Sequence, residues 1–312
     1  MKTSCIHMIR MPSIRHIARL ALTTLSCLSA GLLVLAASPA QACGLESDCP
    51  VALDNGTITG SYRIRMPVGG SQTAADNVAE DKVAADKVNG AIVYLHGWQG
   101  TPEGTMKFGA LTRMADELGV ALIAPRGLRK SWSFPRAGRI LARDDVAFIN
   151  AVANDAALRF SIDRERFMLT GFSVGGSMVW YAACKEPDMF AGYAPIAGAF
   201  WVPYPPECRS PAPDLFHVHG TADRTVPLQG RKLGNGAQQG DVTISFGILL
   251  DTAPIAIDRN AVSPGDQSRL TCEHFRAHGN RQEICLHGGG HSVRPEWISR
   301  AWRELAAVRQ WD

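Results

Sequence analysis

Beyond its first 42 residues, the chain lacks a surplus of charge of either sign. Across 312 residues Lys and Arg number 32 against 29 Asp and Glu, but Lys2, Arg10, Arg15 and Arg19 fall in 1–42 without a single acid, leaving 28 against 29. So balanced a chain has no electrostatic means of gripping nucleic acid or an anionic membrane surface. A long unbroken apolar run is missing too. Residues 20–37 are interrupted by Thr23, Thr24, Ser26, Ser29 and Gly31, which argues against a permanent membrane helix, so no stable membrane anchor is expected. Nor do any two cysteines beyond residue 42 share the spacing of a zinc knuckle, so no metal site is expected.

What 1–42 does contain is the pattern of a secretion signal: a basic start, an apolar middle and Ala40-Gln41-Ala42 as a small-residue cleavage site. Cleavage after Ala42 leaves Cys43 first. A lipid-anchored Cys43 is the alternative, but Ala40 and Gln41 do not fit the leucine-led pattern that lipoprotein processing requires. Met8 and Met11 are alternative starts. A secreted or periplasmic location follows. Cys5 and Cys27 leave with the signal, and an even set remains: Cys43, Cys49, Cys184, Cys208, Cys272 and Cys285. Even cysteines in an exported chain imply disulfides. Proximity in sequence pairs Cys43 with Cys49, Cys184 with Cys208, and Cys272 with Cys285.

The roughly 270 residues of 43–312 suit one domain with a full core. Strands are expected at 61–66, 91–95, 120–124, 167–170, 192–196, 214–219 and 282–286, and helices at 106–118, 144–159, 173–185 and 295–309. Residues 71–90 read as a solvated insertion, because valines recurring every five residues line no helical face. Residues 228–266 read as a long glycine-rich connection. Such alternation predicts an α/β fold: a mostly parallel sheet with helices on both faces and ligands at the carboxyl ends of its strands.

Gly171-Phe172-Ser173-Val174-Gly175 sits where an apolar strand runs into a helix. That is the pattern of a nucleophile elbow, with small residues where backbones pass closely and Ser173 at the tip. The N–H of Val174 then points to where a carbonyl oxygen would gain charge. A serine hydroxyl needs a base, and the base an anion to fix its tautomer. His291 is the candidate base, because Gly288-Gly289-Gly290 lets it swing beyond the last strand. The competitor, His287, continues that strand. Asp223, in the loop after 214–219, is the candidate acid, and as an alternative is only a turn former. Asp144 and Asp145 look like helix caps. His96-Gly97-Trp98 follows strand 91–95 and would supply a second oxyanion donor, the Trp98 N–H, with His96 bracing the loop. Trp132 and Trp201 fall in loops after strands, as cleft walls or core.

Leu95 to Trp98, Ser131 to Ser133, Leu169 to Met178, Gly198 to Trp201, His219 to Pro227 and Gly289 to His291 together resemble the secreted polyhydroxybutyrate depolymerase and feruloyl esterase family of α/β-hydrolases. The resemblance spans essentially all of 43–312 and departs at 71–90. It implies a single-domain α/β-hydrolase and a serine esterase with Ser173 as nucleophile, Asp223 as acid, His291 as base, and no cofactor. The substrate would be a small or oligomeric ester such as a 3-hydroxybutyrate oligomer. The alternatives are a feruloyl or acetylxylan esterase, or a catalytically silent binding module on the same fold.

Overall fold

The strand predicted at 91–95 is apolar at every position, and the reason is visible in the sheet. In the computed structural model, which describes residues 43–53, 57–68, 88–133 and 143–311, β3 (Ala91–Leu95) is buried throughout. Successive side chains point to opposite faces. Ala91, Val93 and Leu95 enter one core and Ile92 and Tyr94 the other. Residues 1–42, expected to be a secretion signal, and residues 69–87, which include most of the expected insertion at 71–90, lie outside the described residues.

Nine strands form the main sheet. Beside β3 these are β1 (Cys49–Leu53), β2 (Thr57–Arg65), β4 (Ala121–Pro125), β5 (Phe167–Phe172), β6 (Gly192–Ile196), β8 (Leu215–Gly220), β11 (Thr271–Ala277) and β12 (Asn280–His287), in the order β1-β2-β4-β3-β5-β6-β8-β12-β11. From β4 through β12 every neighbouring pair is parallel, and β1, β2 and β11 close the edges antiparallel. One face is covered by α3 (Asp145–Phe160), α4 (Val174–Lys185) and α5 (Val242–Leu250), whose Phe148, Trp180 and Phe246 fill the larger core. The other carries α2 (Gly109–Leu118) and α6 (Pro295–Arg309), through Leu111, Met114, Trp297 and Trp302. This is the α/β-hydrolase architecture. A short sheet of β7 (Trp201–Val202), β10 (Gln238–Gln239) and β9 (Arg231–Lys232) lies apart from it.

Three expectations are corrected. Residues 228–266 are not all connection, since they hold β9, β10 and α5. Asp241 caps α5 through the amides of Thr243 and Ile244, but the helix is apolar almost all round and shows no amphipathic period. The helix expected at 106–118 is two, α1 (Pro102–Lys107) and α2, meeting at Phe108. Edge strands β1, short and half exposed, and β11, half polar, were passed over in the sequence reading. The three disulfides are the pairs expected from proximity, and Cys272 and Cys285 face each other directly across β11 and β12.

Candidate active site

A strand that enters a helix without a loop must reverse its backbone over one residue. That residue is Ser173, between β5 and α4, at φ 59° and ψ −120°. A non-glycine residue there is strained and persists only where its surroundings hold it. The Ser173 N–H donates to Ile196 O at 3.0 Å and its carbonyl accepts from Ser177 N at 2.8 Å. Glycine is required on both sides. A Cβ on Gly171 would lie 2.7 Å from the Gly175 backbone, and one on Gly175 would lie 2.1 Å from Leu95 O.

That contact brings the end of β3 against the elbow. A Cβ on Gly97 would sit 3.6 Å from the Ser173 Cβ, so the Gly97-Trp98 backbone runs beside the serine. Val174 opens α4, and its N–H has no partner within the helix. His96 is buried and braces this loop from both ring nitrogens: Nδ1 is 2.8 Å from Gly97 O, and Nε2 accepts from Gly127 N at 3.2 Å. Burial pushes its pKa below the usual histidine value, in keeping with a neutral ring.

Two further loops meet here. Thr221 N donates to His287 O at 2.8 Å and Ala222 N to Gly289 O at 3.1 Å, tying the segment after β8 to the one after β12. Asp223 Oδ2 lies 2.6 Å from His291 Nδ1, while Oδ1 accepts from the amides of Thr225 and Val226, both at 2.8 Å. Burial alone would raise the Asp223 carboxyl. The hydrogen bonds from His291 and Val226, with the nearby histidines, outweigh it and hold the group below the usual carboxylate value. A carboxylate only accepts, so Nδ1 of His291 carries a proton, and in the neutral form of the ring Nε2 is the lone pair. The His291 ring packs on Phe172, centroids 4.6 Å apart, beside Ser173. The grouping thus offers a hydroxyl, an oriented imidazole and two backbone donors, the parts acyl transfer uses.

His287 is a structural neighbour, buried and stacked on Trp297 at 4.4 Å, with Nδ1 accepting from Gly289 N at 3.1 Å. Burial and the neighbouring His219 push its pKa down to about 4. Trp98 is 69% exposed at the rim. The reading of Trp132 and Trp201 as cleft walls is corrected, since both are core. Trp132 is fully buried, donates to His96 O at 2.8 Å and packs on the His96 ring. Trp201 is 5% exposed and donates from its ring to Ser177 Oγ at 3.2 Å. Asp144 caps α3 as expected, but Asp145 does not cap. It is buried, accepts from Ser133 N at 2.6 Å and pairs with Arg143. Sequence reasoning also missed an apolar cavity of about 670 Å³ along α4, lined by Met178, Tyr181, Tyr204 and the Cys184–Cys208 disulfide. Among the described residues, the one cluster of metal-type donors is Cys272, Glu283 and Cys285, whose sulfurs are joined in a disulfide and offer no thiolate.

Fold and site together define an α/β-hydrolase with a serine elbow. The chain belongs to the phospholipase/carboxylesterase family, whose model matches residues 77–239. It is similar to the esterase-like protein NocK of Nocardia uniformis subsp. tsuyamanensis, 31% identical over 243 residues, 69% of this chain and 70% of that one. It also resembles the bifunctional acetylxylan esterase/xylanase XynS20E of Neocallimastix patriciarum, 27% identical over 140 residues, 44% of this chain and 20% of that protein. Among solved structures, an acetyl xylan esterase from Aspergillus awamori shares the fold, with a TM-score of 0.50 at 14% identity, over 78% of this chain and 94% of that one.

Proposed function

We propose that the chain is an exported serine carboxylesterase, its signal cut after Ala42. Ser173 attacks the ester carbonyl, His291 takes its proton and returns it to the leaving alcohol, and Asp223 orients the imidazole. The amides of Trp98 and Val174 hold the oxyanion, and water then releases the acid from a covalent acyl-enzyme. These steps draw on no metal or organic cofactor. The observation that carries the reading is the 2.6 Å contact of His291 with Asp223, in a ring packed against the residue preceding the strained Ser173.

For substrate we favour short-chain, moderately apolar esters, 3-hydroxybutyrate oligomers among them. The exposed Trp98 follows Gly97, whose backbone runs beside the serine, and supplies an apolar surface there. A second reading, acetyl or feruloyl esters of plant cell walls, is supported by the likeness to the acetylxylan esterase/xylanase. Turnover is to be measured side by side on p-nitrophenyl butyrate, p-nitrophenyl palmitate, hydroxybutyrate trimer, methyl ferulate and acetylated xylan, with labelling by a fluorophosphonate probe. Labelling that disappears in Ser173→Ala, with highest turnover on butyrate or trimer, is the expected result. Preference for xylan or ferulate promotes the second reading, and palmitate would indicate a lipase. An unlabelled wild-type protein would overturn the serine mechanism.

A further inference from the structure

We propose that His219 is a positioning residue for Asp223, and that His217 keeps it in the working tautomer. The proposal rests on the reading of Asp223 and His291 given above. His217 and His219 lie two apart on β8, both fully buried. His219 Nε2 is 2.7 Å from Val226 O, and a carbonyl only accepts, so Nε2 carries a proton. Burial holds His219 below the ordinary histidine value, so the ring is neutral and Nδ1 is a lone pair. That lone pair faces His217 Nε2 at 3.0 Å, which must therefore donate.

This assignment makes a further demand. His217 also is driven well down by burial, so its one proton is spent on His219 and its Nδ1 is bare. Nδ1 of His217 is one of two buried side-chain polar atoms without a hydrogen-bond partner among the described residues. The Pro195 backbone lies close enough to the ring to favour a protonated His217, but no group meets hydrogen-bond geometry at Nδ1. Burying two imidazoles among Trp180 and Phe246 costs more than burying apolar side chains of their size. What the pair achieves is a clamp on one peptide. The Val226 carbonyl is held by His219 while the Val226 N–H holds Asp223 Oδ1, so the turn that aims the carboxylate is pinned to β8. His219 Nε2 itself stays 3.7 Å from Asp223 Oδ2. The other titratable or charged groups acting on this cluster are His287, His291 and Arg259, and Arg294 acts on His287.

Two polar replacements test the clamp. In His219→Gln the amide nitrogen reaches the position of Nε2, whereas in His219→Asn it falls short. The Gln variant should keep kcat within about threefold. The Asn variant should lose about tenfold or more in kcat at unchanged KM, the rate equivalent of one hydrogen bond or more. Its acid limb in the profile of kcat/KM against pH should move to lower pH, because a loosened Asp223 stabilises the imidazolium less. The low-field proton resonance of the His291–Asp223 bond should broaden in the Asn variant alone. Equal activity of the two variants, or a Gln variant as impaired as Asn, overturns the proposal. Should the Asn variant not fold, the Gln variant decides: an unmoved acid limb supports the clamp and a moved one sinks it. Ser173→Ala and Asp223→Asn run in parallel separate the two readings. If either retains turnover, the serine mechanism itself fails. If both are inactive and no Gln–Asn contrast appears, only the positioning role falls.

Discussion

A serine held at φ 59° carries a backbone penalty on the order of 1–3 kcal/mol, which the fold sustains through Ile196 O, Ser177 N and two glycines at close approach. The two histidines after β12 differ as sharply in their surroundings. His291 points its Nδ1 at a carboxylate and leaves Nε2 open, whereas His287 is sealed against Trp297 and accepts a backbone amide. His291→Ala should therefore lower kcat by about 10⁴–10⁶ with the melting temperature nearly unchanged, as loss of a triad member does. His287→Ala should keep kcat within an order of magnitude and melt earlier, for it leaves a cavity against Trp297. Kinetics and calorimetry on the two proteins decide. An inactive His287→Ala beside an active His291→Ala would reverse the assignment of the base.

Loops carry the candidate chemistry, and strands and disulfides hold the loops. Cys184 lies in the last turn of α4, the helix that follows Ser173, and is joined to Cys208, beyond β7, along the wall of the cavity on α4. Denatured, unreduced protein cut after Ala42, which lacks Cys5 and Cys27, should take up no iodoacetamide beyond background. The Cys184→Ser/Cys208→Ser pair should lose about 3 kcal/mol in stability, the value for closing a loop of this order. It should also lose more activity than removal of either other disulfide. Labelling of two or more cysteines, or full activity in that double variant, would contradict this. The elbow and the order of Ser173, Asp223 and His291 were legible in the sequence because close backbone approach demands glycine at fixed places. The buried strands were legible because a sheet covered on both faces needs unbroken apolar runs. Trp132 and Trp201 stood open between cleft wall and core because position after a strand does not say which way a ring turns. α5 was hidden by having no polar face, and the His217–His219 pair because alternate residues of a buried strand read as ordinary core.

For the molecule as a whole, four interior histidines set the behaviour in acid. His96, His217, His219 and His287 are all pushed below the ordinary histidine value by burial, His287 to about 4. In the unfolded chain each takes its proton near pH 6.5, so between about 6.5 and 4 the unfolded state binds more protons and stability falls as pH falls. Asp145, raised by burial, has the opposite sign, but it is one group against four and acts nearer the carboxyl range. Urea midpoints at pH 7.5, 6 and 5 should fall in that order, and His287→Gln should flatten the slope. A midpoint indifferent to pH over this range would mean that the four rings already bind protons when folded.

The sheet joins parts of the chain that are made at different times. Ser173 arrives with β5, whereas Asp223 and His291 wait for β8 and β12, and β12 pairs in parallel with β8 across a long crossover. Parallel pairing of distant segments is slow and comes late in folding. On the mechanism proposed above, a chain emerging amino end first holds its serine without its acid and base until β8 and β12 are in place. Ester cleavage would then switch on only as β12 seats beside β8.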